Sequence, residues 1–312
     1  MGFLGTWKNT GKTTALAATM AVLAERNMSV ALTSIGYDGE LQDTITGLPK
    51  PKIVPVESTL VATTESCARV SPARLVRIAT TDVNTPLGKV ALFRVARPGK
   101  VAVAGPNNRR DLSSVLSAIR DQRPDMTLVD GALSRAYPLA EVDAVVLCTG
   151  AARLRDTDML EREAEAICCI LHIGTPPAAT ECSQWDALVT PGIIESWHKP
   201  NIMLDTPMAL LASHEPIPTW DAILRARFRG VQVYVKKPIR LSAITLNPTY
   251  PLESKSGYDR YETLDLRPTA KRLKLLGVRV VDVVAEGAGA LLDAIVCSVK
   301  HSAAGVLASE NV

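Results

Sequence analysis

Aromatic residues are scarce in this chain. Phe, Tyr and Trp make up 4% of its 312 residues, so Ala, Val, Leu and Ile must fill the interior. Long apolar runs are absent as well. None reaches the roughly 18–20 residues of a membrane span, and no membrane partner is expected. The six cysteines (Cys67, Cys148, Cys168, Cys169, Cys182, Cys297) contain no C-x-x-C pair, which removes the usual zinc and dithiol spacings. Cys168, Cys169, His172 and Cys182 fall close together, but adjacent cysteines on one helix point in different directions. Several of the six lie in apolar runs, as reduced buried thiols do. No G-x-S-x-G, H-E-x-x-H or G-x-G-x-x-G occurs, so nothing marks a serine hydrolase, a zinc protease or a dinucleotide-binding turn. The net charge of +3 is mild and does not point to nucleic acid. Arg225 to Arg240 is basic with Phe228 and Tyr234 interleaved, a pattern that also describes a strand with one solvated face. No nucleic-acid partner is expected. No signal peptide is expected ahead of Gly5, and a cytoplasmic location is the expectation.

Hydrophobic residues make up 47% and charged residues 21%, enough for a sizeable core. The length suits one large α/β domain or a core with a smaller companion. Gly2-Phe3-Leu4 reads as a short strand, Ala15 to Arg26 as a helix and Ser29 to Ile35 as a second strand. Residues 41–88 show no regular pattern. Val90 to Val95 and Lys100 to Ala104 read as neighbouring strands. Asp111 to Arg120 has helical spacing, Met126 to Val129 and Asp143 to Cys148 read as buried strands, and Thr157 to Leu171 as a helix. This alternation predicts an α/β fold: a mainly parallel sheet with helices on both faces. The Pro-containing stretch Gly174 to Ala179 suggests a nucleotide-binding domain over 1–178 and a smaller α/β region over 179–312. In the latter, strands are expected at Ala187 to Thr190, Ile202 to Asp205, Val231 to Val235, Ser242 to Leu246 and Val278 to Val284. Helices are expected near Pro218 to Arg227 and Thr269 to Leu276.

The segment Gly5-Thr6-Trp7-Lys8-Asn9-Thr10-Gly11-Lys12-Thr13-Thr14 carries the chemistry. A glycine-bearing loop between a strand and a helix points successive N–H groups at an anion, and the helix N-terminus adds its dipole. Lys12 would neutralise β- and γ-phosphates, and the Thr13 hydroxyl would be a ligand for Mg²⁺. The strict pattern G-x-x-x-x-G-K-[ST] places its first Gly at position 6. Here Thr6 stands there and the Gly is one residue earlier, at Gly5.

A phosphate loop that hydrolyses nucleotide needs a carboxylate for Mg²⁺ on a neighbouring strand. Asp130, closing Met126-Thr127-Leu128-Val129, has that form. Glu286, after Val283-Val284-Ala285, is a weaker second candidate. Asp38, Glu40 and Asp43 cluster after the second strand. Asp38, or next Glu40, would organise the attacking water or hold Mg²⁺ through its shell. A hydrated turn gives the same pattern. Gly105-Pro106-Asn107-Asn108-Arg109-Arg110 resembles a second anion loop, and Arg109, Arg110 or Arg135 could meet a phosphate or a partner's acid.

Gly-Thr, four residues, then Gly-Lys-Thr resembles the loop of dethiobiotin synthetases and glutamine-dependent cobyric acid synthases, members of the SIMIBI class of P-loop NTPases. In these enzymes the acid strand often ends in an acid followed by Gly-Ala, as Asp130-Gly131-Ala132 does. The signature lysine of MinD/ParA relatives sits five residues before the loop lysine. Lys8 sits four before Lys12, so that role is not carried over. Together with Thr33-Ser34-Ile35-Gly36-Tyr37-Asp38-Gly39-Glu40 and Leu128-Val129-Asp130-Gly131-Ala132-Leu133-Ser134-Arg135, the loop is similar to the P-loop subunit of lysine 5,6-aminomutase reactivases. The likeness covers roughly the first half of the chain. It implies ATP and Mg²⁺ as cofactors. It implies an aminomutase that uses adenosylcobalamin and a second reactivase subunit as partners, and chaperone-like action in which hydrolysis releases damaged cobalamin. SIMIBI relatives commonly work as dimers, so a homodimer is one implied assembly. The lack of N-K-x-D favours adenine over guanine. A small-carboxylate ligase or kinase, with its substrate near Lys8, Asp38 and Asn107, stays open, as does an adaptor with negligible turnover.

Overall fold

Gly2–Gly5 (β1) is buried along its whole length, as a strand covered on both faces must be. The computed structural model describes residues 1–38, 53–254 and 257–297. After β1 come α1 (Lys12–Glu25), β2 (Val30–Ser34), β3 (Tyr37–Asp38), β4 (Leu60–Thr64), α2 (Glu65–Val70), β5 (Arg74–Thr85), β6 (Gly88–Arg97), β7 (Val103–Ala104), α3 (Arg109–Arg120) and β8 (Met126–Ala132). Two 3-10 helices, Leu133–Arg135 and Tyr137–Glu141, lead to β9 (Ala144–Gly150) and α4 (Thr157–Leu171). Next are β10 (Ser183–Trp185), α5 (Pro191–Glu195), β11 (Asn201–Leu204), α6 (Met208–Leu211), α7 (Pro216–Phe228), β12 (Gln232–Val235) and β13 (Arg240–Asn247). The chain continues through β14 (Thr249–Ser254), β15 (Gly257–Thr263), α8 (Arg267–Lys274), β16 (Val280–Val281) and α9 (Val283–Glu286). A helix over 288–297 follows.

The central sheet has nine strands in the order β16-β13-β9-β1-β8-β2-β4-β6-β5. Every neighbouring pair from β16 to β4 is parallel, whereas β6 runs antiparallel to β4 and β5. The period-2 alternation of strands divides the core in two. Leu4, Val129, Val145 and Leu147 face one side, where α3 and α4 pack. Phe3, Leu128, Val146 and Cys148 face the other, covered by α1 and the helix over 288–297. The expected α/β sheet with helices on both faces is therefore present. β10, β11 and β12 form a separate parallel sheet, and β14 pairs with β15 as an antiparallel hairpin. No helix among the described residues is long and apolar enough to cross a membrane.

Several expectations change. The main sheet crosses the boundary expected at 178, because β13 and β16 extend it beyond β9. The unassigned stretch includes β4, α2 and β5. β6 and β7 are not neighbours: β7 pairs with β3. Pro98-Gly99 turns the chain away, and a Cβ on Gly99 would lie 2.7 Å from the Ala73 amide nitrogen. Residues 187–190 are not a strand. Val189 is buried and donates its N–H to the Ala209 carbonyl at 3.1 Å, in a segment leading to Pro191 at the start of α5. The strand expected over 278–284 shortens to β16. Asp282 Oδ1 accepts from Val284 N at 3.0 Å and Ala285 N at 3.1 Å, and this capping turns 283–286 into a helix despite its β-branched residues.

Candidate functional site

At the C-terminal ends of β1, β8, β9 and β13 lies a cleft of about 880 Å³, where ligands of open α/β sheets bind. All ten residues of the expected phosphate loop (Gly5, Thr6, Trp7, Lys8, Asn9, Thr10, Gly11, Lys12, Thr13 and Thr14) line it. Ala132 to Arg135, Arg153, Thr245 to Thr249 and Asp282 to Ala285 supply the other walls.

Left-handed residues shape the loop. Asn9 has φ 61° and Gly11 φ 80°, a conformation that glycine adopts without cost. A Cβ on Gly11 would also press on Asn247 Cβ at 3.2 Å. Thr10 Oγ1 donates to the Trp7 carbonyl at 2.9 Å, bracing the loop from within. The displaced first glycine has a local cause. A Cβ on Gly5 would come within 3.1 Å of Lys12 Cδ, so Gly5 gives the lysine its path back across the strand end. Thr6 is buried and used otherwise. Its N–H donates to the Cys148 carbonyl at 3.0 Å, and its hydroxyl donates to Thr149 Oγ1 at 3.0 Å. The loop is thereby tied to β9.

Lys12 opens α1, and its Nζ lies 2.5 Å from Asp130 Oδ1. Register explains the meeting. β1 and β8 are parallel with Phe3 beside Asp130. Leu128 faces α1, so Asp130, two residues on, points to the same side. Asp130 is 1% exposed and Lys12 18%. Its N-cap Gly11 gives α1 no side-chain cap, and the first turn has no acid. α3 and α4 differ, with Asn108 capping the Asp111 amide and Asp156 the amides of Asp158 and Met159. The start of α1 thus retains its positive end for an anion.

Two neighbours escaped sequence reasoning. Asn247, at the end of β13, donates from Nδ2 to the Asn9 carbonyl at 2.8 Å and accepts from Thr249 Oγ1 at 2.9 Å. Arg153 places its guanidinium 4.9 Å from the centre of the Trp7 ring, a cation–π contact. It also donates to buried Glu163 through Nε (3.1 Å) and Nη2 (2.7 Å). Trp7 itself is 56% exposed. Only the strand-end position of Leu246-Asn247-Pro248 offered a sequence signal for the first, and none marked the second.

Other candidates fall elsewhere. Residues 105–110 do not line the cleft, so the expected second anion loop is not part of this site. Arg109 is bound instead by Glu141 and Asp205. Burial opposes its charge, but these carboxylates hold the guanidinium above its usual range. Asn108 caps α3, and Asn107 lies outside the cleft. Glu286 does not line the cleft. Its Oε1 accepts from the Asp282 amide at 2.9 Å. Asp38 ends β3, paired with Val103 of β7, while Glu40 and Asp43 lie outside the described residues. In the basic stretch, Arg225 pairs with Glu195, Arg227 stacks on Trp220, and Lys237 donates to the Ala140 carbonyl. Among the described residues no group of three or more His, Cys, Asp or Glu could hold a metal ion.

No family model and no curated protein matches this chain. Among solved structures, protein DIP2308 from Corynebacterium diphtheriae is similar at 12% identity, over 96% of this chain and 97% of that one, with a TM-score of 0.39. A likeness that distant carries nothing about activity.

Proposed function

We propose that this chain binds and hydrolyses ATP with Mg²⁺ and uses the cycle to act on a partner protein. The observation that carries this reading is the Lys12–Asp130 pair at 2.5 Å, at the foot of a left-handed loop and an uncapped helix start. The cleft volume of about 880 Å³ lies within the range of small-molecule sites. Lys12 and the loop amides would hold the phosphates. The Thr13 hydroxyl and Asp130 carboxylate are hard oxygen donors, which fits Mg²⁺, an ion held by few protein oxygens together with water and phosphate. Mg²⁺, when bound, neutralises charge developing on the phosphoryl oxygens. Asp38, or Glu40, would orient the attacking water. The partner suggested by the resemblance is an aminomutase dependent on adenosylcobalamin, acting with a second reactivase subunit, in the cytoplasm.

A second reading is a ligase or kinase of a small carboxylate. It is favoured by the extension of the cleft past the loop to His214, Tyr261 and Thr263, which leaves room for another ligand. Steady-state ATP turnover separates the two. Stimulation by inactivated aminomutase, with recovery of mutase activity, supports the first. Turnover only with a small carboxylate supports the second. Binding without turnover in a single-turnover assay would leave a nucleotide-gated adaptor.

A further inference from the structure

Three of the cations that line the cleft, Lys12, Arg153 and Arg135, differ in how they are held. Lys12 faces Asp130 and Arg153 faces Glu163. Arg135 has no ion-pair partner among the described residues, yet its position is closely defined. It ends a 3-10 helix whose first residue, Leu133, and the residue after it, Ala136, are buried and joined by an Ala136 N–H to Leu133 carbonyl bond of 3.2 Å. Its guanidinium rests on the backbone of Gly36. A Cβ there would lie 1.9 Å from Arg135 Nη1 and 3.0 Å from Cζ. Gly36 is itself fixed from two sides. Its N–H donates to the Pro106 carbonyl at 3.2 Å, and its carbonyl accepts from Gly105 N at 2.9 Å. Its φ of 75° favours glycine independently.

We infer that Arg135 contacts the terminal phosphate of a nucleoside triphosphate in this cleft, and that Gly36 is a glycine because any side chain would unseat it. The inference rests on the nucleotide reading above. A guanidinium is a planar fork that matches phosphate oxygens in pairs, and one already packed against fixed backbone loses less freedom on binding. The loop amides take the inner phosphates and Lys12 spans the β- and γ-phosphates. Arg135 arrives from the end of β8, beside the end of β2, and so reads the group that distinguishes a triphosphate from a diphosphate. Through Gly36 it also touches the segment leading to Asp38.

Calorimetric titration of the full chain with ADP and with the non-hydrolysable triphosphate AMP-PNP, both with Mg²⁺, tests this. Arg135→Gln should weaken AMP-PNP by about 10- to 100-fold, the range of a charge-assisted hydrogen bond, and leave ADP within about twofold. Arg135→Lys should fall between. Gly36→Ala should reproduce the selective loss but add little in an Arg135→Ala background. Equal losses for both nucleotides, or none for either, would overturn the assignment. If the native chain binds neither nucleotide, the nucleotide reading itself fails. Native binding with an indifferent Arg135→Gln removes only the role of Arg135.

Discussion

Lys12 and Asp130 show what a single pair asks of its surroundings. Asp130 is almost wholly buried and its neighbour is the Lys12 ammonium. Deleting one partner of such a pair strands a buried charge, which typically costs about 3 kcal/mol or more. Lys12→Ala should therefore destabilise the fold by about that amount, and Lys12→Ala/Asp130→Asn should recover most of it. Urea midpoints for the native chain and the two variants measure this. Cys148, under the loop, gives a second residue-scale expectation. Burial pushes its thiol up to about 12, outweighing the opposite pull of Lys12. The native chain at pH 8 should leave Cys148 unalkylated by iodoacetamide while denatured chain reacts fully, as peptide mass mapping would show. At this scale the loop was legible because its residues are contiguous. Asn247 and Arg153 were not, since only the meeting of β1, β9 and β13 brings them to it. The reason for Gly5 in place of a glycine at 6 was equally hidden. It lies in the path of Lys12 and the tether of Thr6 to β9.

Elements follow the sequence where a period is long and fail where a run is short. α4 occupies the residues its spacing predicts, and α1, α3 and α7 differ only at their ends. Apolar runs of only two or three residues misled at 187–190 and 278–284, since so short a run fits strand, helix or extended loop alike until capping and contacts decide. Close backbone crossings could not be read at all. Gly105 lies so near the end of β2 that a Cβ would sit 1.8 Å from the Ser34 carbonyl oxygen. Gly105→Ala should cost about 2–4 kcal/mol by forcing the crossing apart, measured as a lower thermal midpoint. Arg109 links α3 to the 3-10 helix Tyr137–Glu141 through Glu141, and to the end of β11 through Asp205, the residue that follows the strand. Burial tends to raise the Glu141 pKa, but hydrogen bonding and charge from Arg109 outweigh it and hold the carboxyl below its ordinary range. With a depressed folded-state pKa, this contribution is complete above the ordinary carboxylate range and disappears as pH falls through the folded value. Glu141→Gln should lower stability by about 1–3 kcal/mol at pH 7, and the gap should close on acidification. Denaturation curves between pH 7 and the acid limit would show it.

At the scale of the molecule, the central sheet does not end where composition suggested a boundary. β13 and β16 come from beyond residue 178, yet continue the sheet past β9 and bring Asn247 to the loop. A fragment of residues 1–178 would leave β9 as a raw edge and lose the helix over 288–297 that helps cover one face. Such a fragment should fail to unfold cooperatively, whereas the whole chain should show one transition that carries the sheet and the cleft together, monitored by far-UV circular dichroism and Trp fluorescence. The proposal of an ATP-driven protein stands on that cleft. It is tested most directly by calorimetric titration of Mg·ATP into the native chain and into Lys12→Ala/Asp130→Asn, the variant expected to keep its fold while losing the loop cation. Saturable binding by the native chain and a loss of at least about 100-fold in the variant is the expected result. Equal affinity in the two, or no binding by the native chain, would contradict it.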